Sequence, residues 1–245
     1  MAIDVETKDC TAVTDAELAE MADMCADGPN PFSVGLLSKQ TEEWVLISTA
    51  RENGKLRGFS FSTLERIGGT PSVLVGLASV ARTSKRSTVL RQLTEAQLHR
   101  ALMAFPDEDV LLGTQFDNAG GFEAFKPLVE IVPRPGHKAS GEERAWGRRL
   151  AKRFSISASR YLDRDFRVVG DNGQACLMDY ETVKPESIDP DVEALFDKVD
   201  RAGGDTMIAF GWIMAEDLLK YARANHRPAG GQCAATISPI RCPRG

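Results

Sequence analysis

Ser72-Val-Leu-Val-Gly-Leu-Ala-Ser-Val80, Arg82-Thr-Ser-Lys-Arg-Ser-Thr88 and Asp109-Val-Leu-Leu-Gly-Thr-Gln-Phe116 decide the fold between them. The first stretch is apolar and rich in valine, the composition of a buried strand. The second is polar and basic and opens a run with Val89, Leu90, Leu93, Leu98, Ala101, Leu102 and Phe105 on one broad face. A helix is therefore predicted from about Ser87 to Phe105. The third stretch is apolar without alternation, as a strand covered on both faces is, and Asn118-Ala-Gly-Gly-Phe-Glu-Ala-Phe125 then predicts a short helix. Strand, polar turn, helix and strand make a βαβ unit. Its turn suits an anion, because a helix N-terminus carries unpaired N–H groups and a partial positive charge.

Upstream, Thr14 to Met24 predicts a helix, with Thr14 and Glu17 at capping-box spacing, and Asp27-Gly-Pro-Asn-Pro31 ends it. Leu36 to Gln40 reads as a helical turn or a loop. Glu43 to Arg51 and Leu56 to Leu64 predict two strands around an Asn53-Gly54 hairpin turn, and Gly68-Gly-Thr-Pro71 turns into the apolar strand. Downstream, Ser140 to Phe154 predicts a basic amphipathic helix with Ser140 and Glu143 as a second capping box. Phe166–Val169 and Ala175–Met178 read as a hairpin around Gly170-Asp-Asn-Gly173. Two further helices are predicted over Pro190–Arg201 and Asp205–Ala224, the second from a stripe of Met207, Phe210, Met214, Leu218 and Tyr221. The sum is an α/β fold, a mixed and mainly antiparallel sheet flanked by helices. Residues 1–180 form its core, including the basic helix 140–154. A C-terminal helical extension spans 181–225, and a disordered or loosely attached tail spans 226–245.

Composition narrows the function classes. A chain of 245 residues holds one large domain or two small ones, and its net charge of -5 gives no general case for a nucleic-acid partner. No apolar run is long enough to span a bilayer, and the acidic start lacks the regions of a signal peptide. Five cysteines without a CxxC pair predict a reducing, cytoplasmic setting and no structural zinc, and three scattered histidines make no metal constellation. No GxGxxG, P-loop, GxSxG or HExxH pattern occurs, so hydride transfer, nucleotide hydrolysis and zinc peptidase chemistry have no support.

The order helix, antiparallel meander, anion turn, helix, parallel strand, short helix resembles the GNAT acyltransferase superfamily over roughly residues 10–130 and more loosely to 180. The resemblance rests on Leu77-Ala-Ser-Val80 at the end of the central strand, the turn 82–88, Asn118, and Ala124-Phe125 where an aliphatic-Tyr pair is usual. It implies acyl-CoA or acetyl-CoA as co-substrate, with the pantetheine arm along Leu77, Ser79 and Val80. It also implies the pyrophosphate at Arg82, Lys85, Arg86, Ser87 and Thr88, and cofactor contacts from Asn118 and Phe125. Backbone N–H near Val80 would polarise the thioester. The turn departs from the family pattern, since placing Arg82 or Lys85 first leaves Lys85 and Ser87, or Thr88 and Leu90, where glycine or a small residue belongs. Phe125 has no hydroxyl and cannot be the acid that the family's Tyr supplies.

Two readings of the turn stand. Lys85, Arg86, Ser87 and Thr88 bind phosphate through side chains and the helix N-terminus, or Ser87 only caps the helix and the cations are a solvated face. For proton transfer the candidates are Glu65, Asp117 and Glu123, with Tyr161 and Tyr180 as replacement acids; each also reads as an ordinary surface carboxylate or packing tyrosine. The basic helix carries Arg144, Arg148, Arg149, Lys152 and Arg153. It suits an acidic carrier protein, an RNA backbone or a cofactor 3′-phosphate, or it is a solvated face above Trp146, Leu150 and Phe154. The expected function is acyl transfer from acyl-CoA to an amine of a small molecule or protein. The alternatives are a GNAT-like binding or regulatory module without chemistry and a synthase fed by acyl carrier protein.

Overall fold

The computed structural model describes residues 3–28, 31–123, 125, 128–173, 178–179 and 188–221. The strands are β1 (Asp4–Asp9), β2 (Leu46–Glu52), β3 (Lys55–Ile67), β4 (Thr70–Val80), β5 (Val110–Phe116), β6 (Val129–Val132), β7 (Tyr161–Leu162), β8 (Arg167–Val168), β9 (Met178–Asp179) and β10 (Thr206–Ile213). The helices are α1 (Asp15–Cys25), α2 (Val34–Glu43), α3 (Arg86–Ala104), α4 (Ala119–Glu123), α5 (Gly141–Arg153), α6 (Pro190–Ala194) and α7 (Ala215–Leu218). All ten strands join one sheet in the order β1-β2-β3-β4-β5-β10-β8-β7, with β6 on β10 and β9 on β4.

Local signals account for the first half. Asn53 and Gly54 take φ of 52° and 79°, the left-handed pair a two-residue hairpin needs, and Gly68 and Gly69 do the same between β3 and β4. Thr14 and Glu17 close a capping box on α1, Ser33 caps α2, and Ser140 and Glu143 close a second box on α5. α2 is thereby a full helix of ten residues and not a turn.

The sheet is covered on both faces. α3 packs Val89, Leu90 and Leu93 against Val73, Val75, Ala78 and Val80. On the other face α1 and α2 bury Met21 and Leu37 over Phe59, Phe61 and Leu77, and α5 buries Trp146 and Leu150 over Leu74, Leu111 and Phe210. A bulge sets Gly76 and Leu77 opposite the single residue Phe61. That extra residue turns Leu77 to the α1–α2 face, while Val75 and Ala78 both stay on the α3 face.

The second half departs from expectation. Thr206–Ile213 is not a helix: it is β10, antiparallel to β5 from Met207 to Ile213. The helical stripe misled because every residue from Thr206 to Gly211 is buried, so periodicity carries no facing information there. The described part of the stretch 181–225, residues 188–221, is accordingly not wholly helical, since β10 supplies an inner strand of the sheet. The helix foreseen over Pro190–Arg201 shortens to α6. β8 pairs with β7 and β10, while β9 pairs with β4; Ala175 to Leu177 of the expected hairpin lie outside the described residues. β1 went unforeseen because its sequence is mostly polar and its strand is half exposed at the sheet edge. Tyr180 and the tail 226–245 lie outside the described residues. No helix among the described residues is long and apolar enough to cross a membrane.

Candidate functional site

β4 and β5 run parallel but pair over only three positions, Ser72–Leu74 against Leu111–Gly113. Thr114 then donates its hydroxyl to the Val75 carbonyl at 3.0 Å, and beyond that bridge the strands part. The fork leaves the β4 edge from Gly76 onward without its neighbour. One face of the fork is closed by Trp44, whose ring lies so close that a Cβ on Gly76 would meet it at 2.2 Å. Only glycine admits the indole there. Gln40 fixes the ring by accepting from Trp44 Nε1 at 3.0 Å. Farther along, Ala78 and Ser79 pair in parallel with Met178 and Asp179 of β9. A piece of the chain's own backbone therefore lies on the edge that the fork exposes.

At the far end of β4 sits the basic turn. The first helical residue is Arg86, the N-cap is Lys85, and no side chain caps the helix. The reading in which Ser87 is the cap is thus overturned. Thr83 organises the turn instead, accepting Lys85 N–H on its hydroxyl at 3.2 Å and Arg86 N–H on its carbonyl at 3.2 Å. Those N–H groups are consumed locally, and Ser87 and Thr88 contribute the next ones in the helix. Lys85 is held by Glu52 at the end of β2, which also accepts from Arg57 at 3.1 Å. The Lys85 ammonium keeps the Glu52 carboxyl below its usual value. A cavity of about 480 Å³ opens beside this turn, lined by Ser79, Val80, Arg82, Thr83 and Arg57 with Asp23 and Asp27 across it.

A second cavity, about 560 Å³, lies at the root of the fork and is lined among others by Trp44, Glu65, Leu74, Gln115, Arg153 and Thr206. The fold brings Glu65 here from β3, but Arg153 holds it at 2.5 Å. Asp117 follows β5, accepts from Asn118 Nδ2 at 2.5 Å and lies 3.5 Å from Arg201. Tyr161 is not at the fork: it is buried under α5, where a Cβ on Gly147 would strike its hydroxyl, and that hydroxyl has no hydrogen-bond partner among the described residues. Burial pushes its phenol well above the usual value, so it keeps its proton.

The cofactor candidates divide in the same way. Leu77, Ser79 and Val80 line β4 with their side chains buried, which leaves backbone as what an extended ligand would meet. Asn118 is spent locally, its carbonyl oxygen accepting Gly121 N–H at 3.0 Å to start α4. Phe125 is core, 3% exposed and packed edge-on to Phe116. The basic helix spends Arg148 on Asp163 and Arg153 on Glu65, and Arg149 stacks over Trp146. Sequence reading did not single out Trp44, Gln115 or Thr206. Each matters through a contact with residues distant in sequence: Trp44 lies over Gly76, and Thr206 donates to Gln115 at 3.0 Å.

No protein-family model matches the chain, and no curated protein sequence matches it. Solved structures do resemble it in part. A NatC complex bound to Gag peptide and CoA is 16% identical over 52% of this chain and 83% of that one, with a TM-score of 0.38. The ribosomal-protein-S18-alanine N-acetyltransferase from Escherichia coli is 13% identical over 57% and 86%, at 0.39. The aminoglycoside 6'-N-acetyltransferase from Enterococcus faecium is 12% identical over 54% and 88%, also at 0.39. Such overlaps are too slight to carry an acceptor or an activity across. The order and pairing of its own elements around the β4–β5 fork agree with the GNAT-like order that the sequence resembles.

Proposed function

We propose that the chain transfers an acyl group from acyl-CoA or acetyl-CoA to an amine. The observation that carries this reading is the fork, where β4 and β5 part after Leu74 and Gly113 with a cavity at its root and a basic turn at its end. An extended arm on the β4 edge can hydrogen-bond to backbone as an added strand does. Its phosphates would then meet Arg82, Lys85, Arg86 and the first N–H groups of α3, of Ser87 and Thr88. The amine would enter beside Glu65 and Gln115. Its nitrogen attacks the thioester carbonyl, backbone N–H of β4 stabilises the oxyanion, and the C–S bond breaks to release CoA thiolate, which takes up the proton the amine loses. Glu65 or Asp117 would relay that proton from the amine to the thiolate once Arg153 or Arg201 shifts. Tyr161 would need to leave its buried place to serve as acid.

A specific observation favours a second reading, a GNAT-like module without chemistry. β9 pairs with Ala78 and Ser79, where the arm would lie, and Phe125 is core without a hydroxyl. Titration calorimetry with acetyl-CoA separates the two. The transfer reading expects saturable binding that falls at least about tenfold in Lys85→Ala/Arg86→Ala, the loss of charge-assisted hydrogen bonds to phosphate. Equal affinity in that variant would sink the assignment of the turn. No binding by the unaltered chain, and no thiol release with any amine, would leave the module reading.

A further inference from the structure

Away from the fork, β6, the loop that follows it, the start of α5 and the β7–β8 turn enclose a third cavity of about 580 Å³. Its lining is Val132, Pro133, His137, Lys138, Ala139, Arg144, Arg164 and Phe166, four basic residues and no acid. That imbalance stands against a chain whose net charge is -5. Three of the carboxylates nearby already have partners. Glu143 accepts from His137 Nε2 at 2.9 Å and from Ser140 N–H at 2.6 Å, and it lies 3.5 Å from Arg134. Asp163 is held by Arg148 at 2.6 Å, and Asp165 faces Lys198 at 3.9 Å.

Lys138, Arg144 and Arg164 form no ion pair among the described residues; the one hydrogen bond of the three is a long one, 3.4 Å, from Arg144 Nε to the Ser140 carbonyl. Three like charges around one hollow repel each other, and water screens them only in part. The arrangement is stable at low cost when an anion of more than one charge sits among them. Two guanidinium groups present paired N–H donors that match phosphoryl oxygens, and Lys138 adds a point charge. The remaining lining residues, Val132, Pro133, Ala139 and Phe166, are apolar, and the part-exposed Pro133 and Ala139 would stay wet beside inorganic phosphate alone.

We propose that this cavity binds a small organic phosphate, its phosphoryl group among Lys138, Arg144 and Arg164 and its apolar body against Pro133 and Phe166. The site is separate from the fork and stands whether or not the chain transfers acyl groups. Phenyl phosphate, inorganic phosphate and phenylacetate are the probes, titrated by calorimetry at low salt into the full chain. Phenyl phosphate is expected to bind more tightly than either of the others, because it alone offers both the doubly charged head and the ring.

Arg144→Ala and Arg164→Ala should each weaken it about tenfold, the measure of a lost charge-assisted contact. Lys152→Ala removes a like charge from the same helix outside the cavity and frees no carboxylate among the described residues, so it should change nothing. Weakening by Lys152→Ala equal to that by Arg144→Ala would overturn the proposal in favour of diffuse attraction. So would binding lost in Lys85→Ala and kept in Arg144→Ala, which would place the anion at the β4–α3 turn. Absence of saturable binding of phenyl phosphate, with both arginine variants folded by circular dichroism, would overturn it outright.

Discussion

Lys85 and Arg144 each stand at the opening of a helix inside a basic stretch, yet they keep different company. Lys85, at the start of α3, is gripped by Glu52, which also holds Arg57. Arg144, in the first turns of α5, faces a cavity with Lys138 and Arg164 and has no carboxylate partner among the described residues. The helix ends differ too: α3 has no side-chain cap, whereas α5 has a complete capping box. Basic residues in a sequence are therefore not the same as available positive charge. At the turn a ligand must compete with Glu52 for Lys85; at the α5 cavity it meets Lys138, Arg144 and Arg164, which no carboxylate among the described residues neutralises.

The largest expected consequence concerns that competition. Glu52→Gln removes the carboxylate that holds Lys85, and affinity of the turn for acetyl-CoA should rise about tenfold, the worth of one charged hydrogen bond released to the ligand. Calorimetry reads it directly, and an unchanged affinity would mean that Lys85 does not reach the bound phosphates. A smaller effect separates the helix ends. Ser140→Ala breaks the capping box of α5 and should cost about 1 kcal/mol, visible as a lower urea midpoint. The same change at Ser87, which caps nothing, should leave the midpoint in place.

The smallest effect is in acid. Lys85 lowers the Glu52 carboxyl from its ordinary 4.5. Burial pushes Glu143 up, but the Ser140 N–H and His137 outweigh it and the net direction is down. A carboxylate whose folded pKa is depressed contributes stability that is fully present above its unfolded value and fades as pH falls through the folded one. Stability should thus hold to about pH 4.5 and decline below it, and the decline should be shallower in Glu52→Gln and in Glu143→Gln. Urea midpoints measured across the acid range test both, and a decline of undiminished slope in the two variants would deny these residues that part.

What could be read in advance follows from where the information sits. The β2–β3 hairpin, α1, α3, α5 and the βαβ unit were legible because Asn53-Gly54, Thr14 with Glu17, Ser140 with Glu143 and the apolar run 72–80 act over a few residues. β10 was misread as a helix, since a strand buried on both faces shows no period of two and its methionines and aromatics happened to fall at helical spacing. The site was only half visible for the same reason. Leu77, Ser79, Val80 and the basic turn belong to one stretch, but Tyr161 went under α5, Phe125 into the core and Asn118 into a local cap.

The sequence by itself determined the local devices of this protein: its turns, its capping boxes, its central apolar strand and the placing of cations beside two helix starts. Only the tertiary structure decided that β10 stands beside β5, that Trp44 closes over Gly76, and that β9 lies on the β4 edge. It alone decided, too, which cations are held and which face an open cavity. The physical reason is range. Caps and turns are settled by backbone geometry within a few residues, while strand order, ring packing and ion pairing are settled by partners that only the whole fold brings within reach.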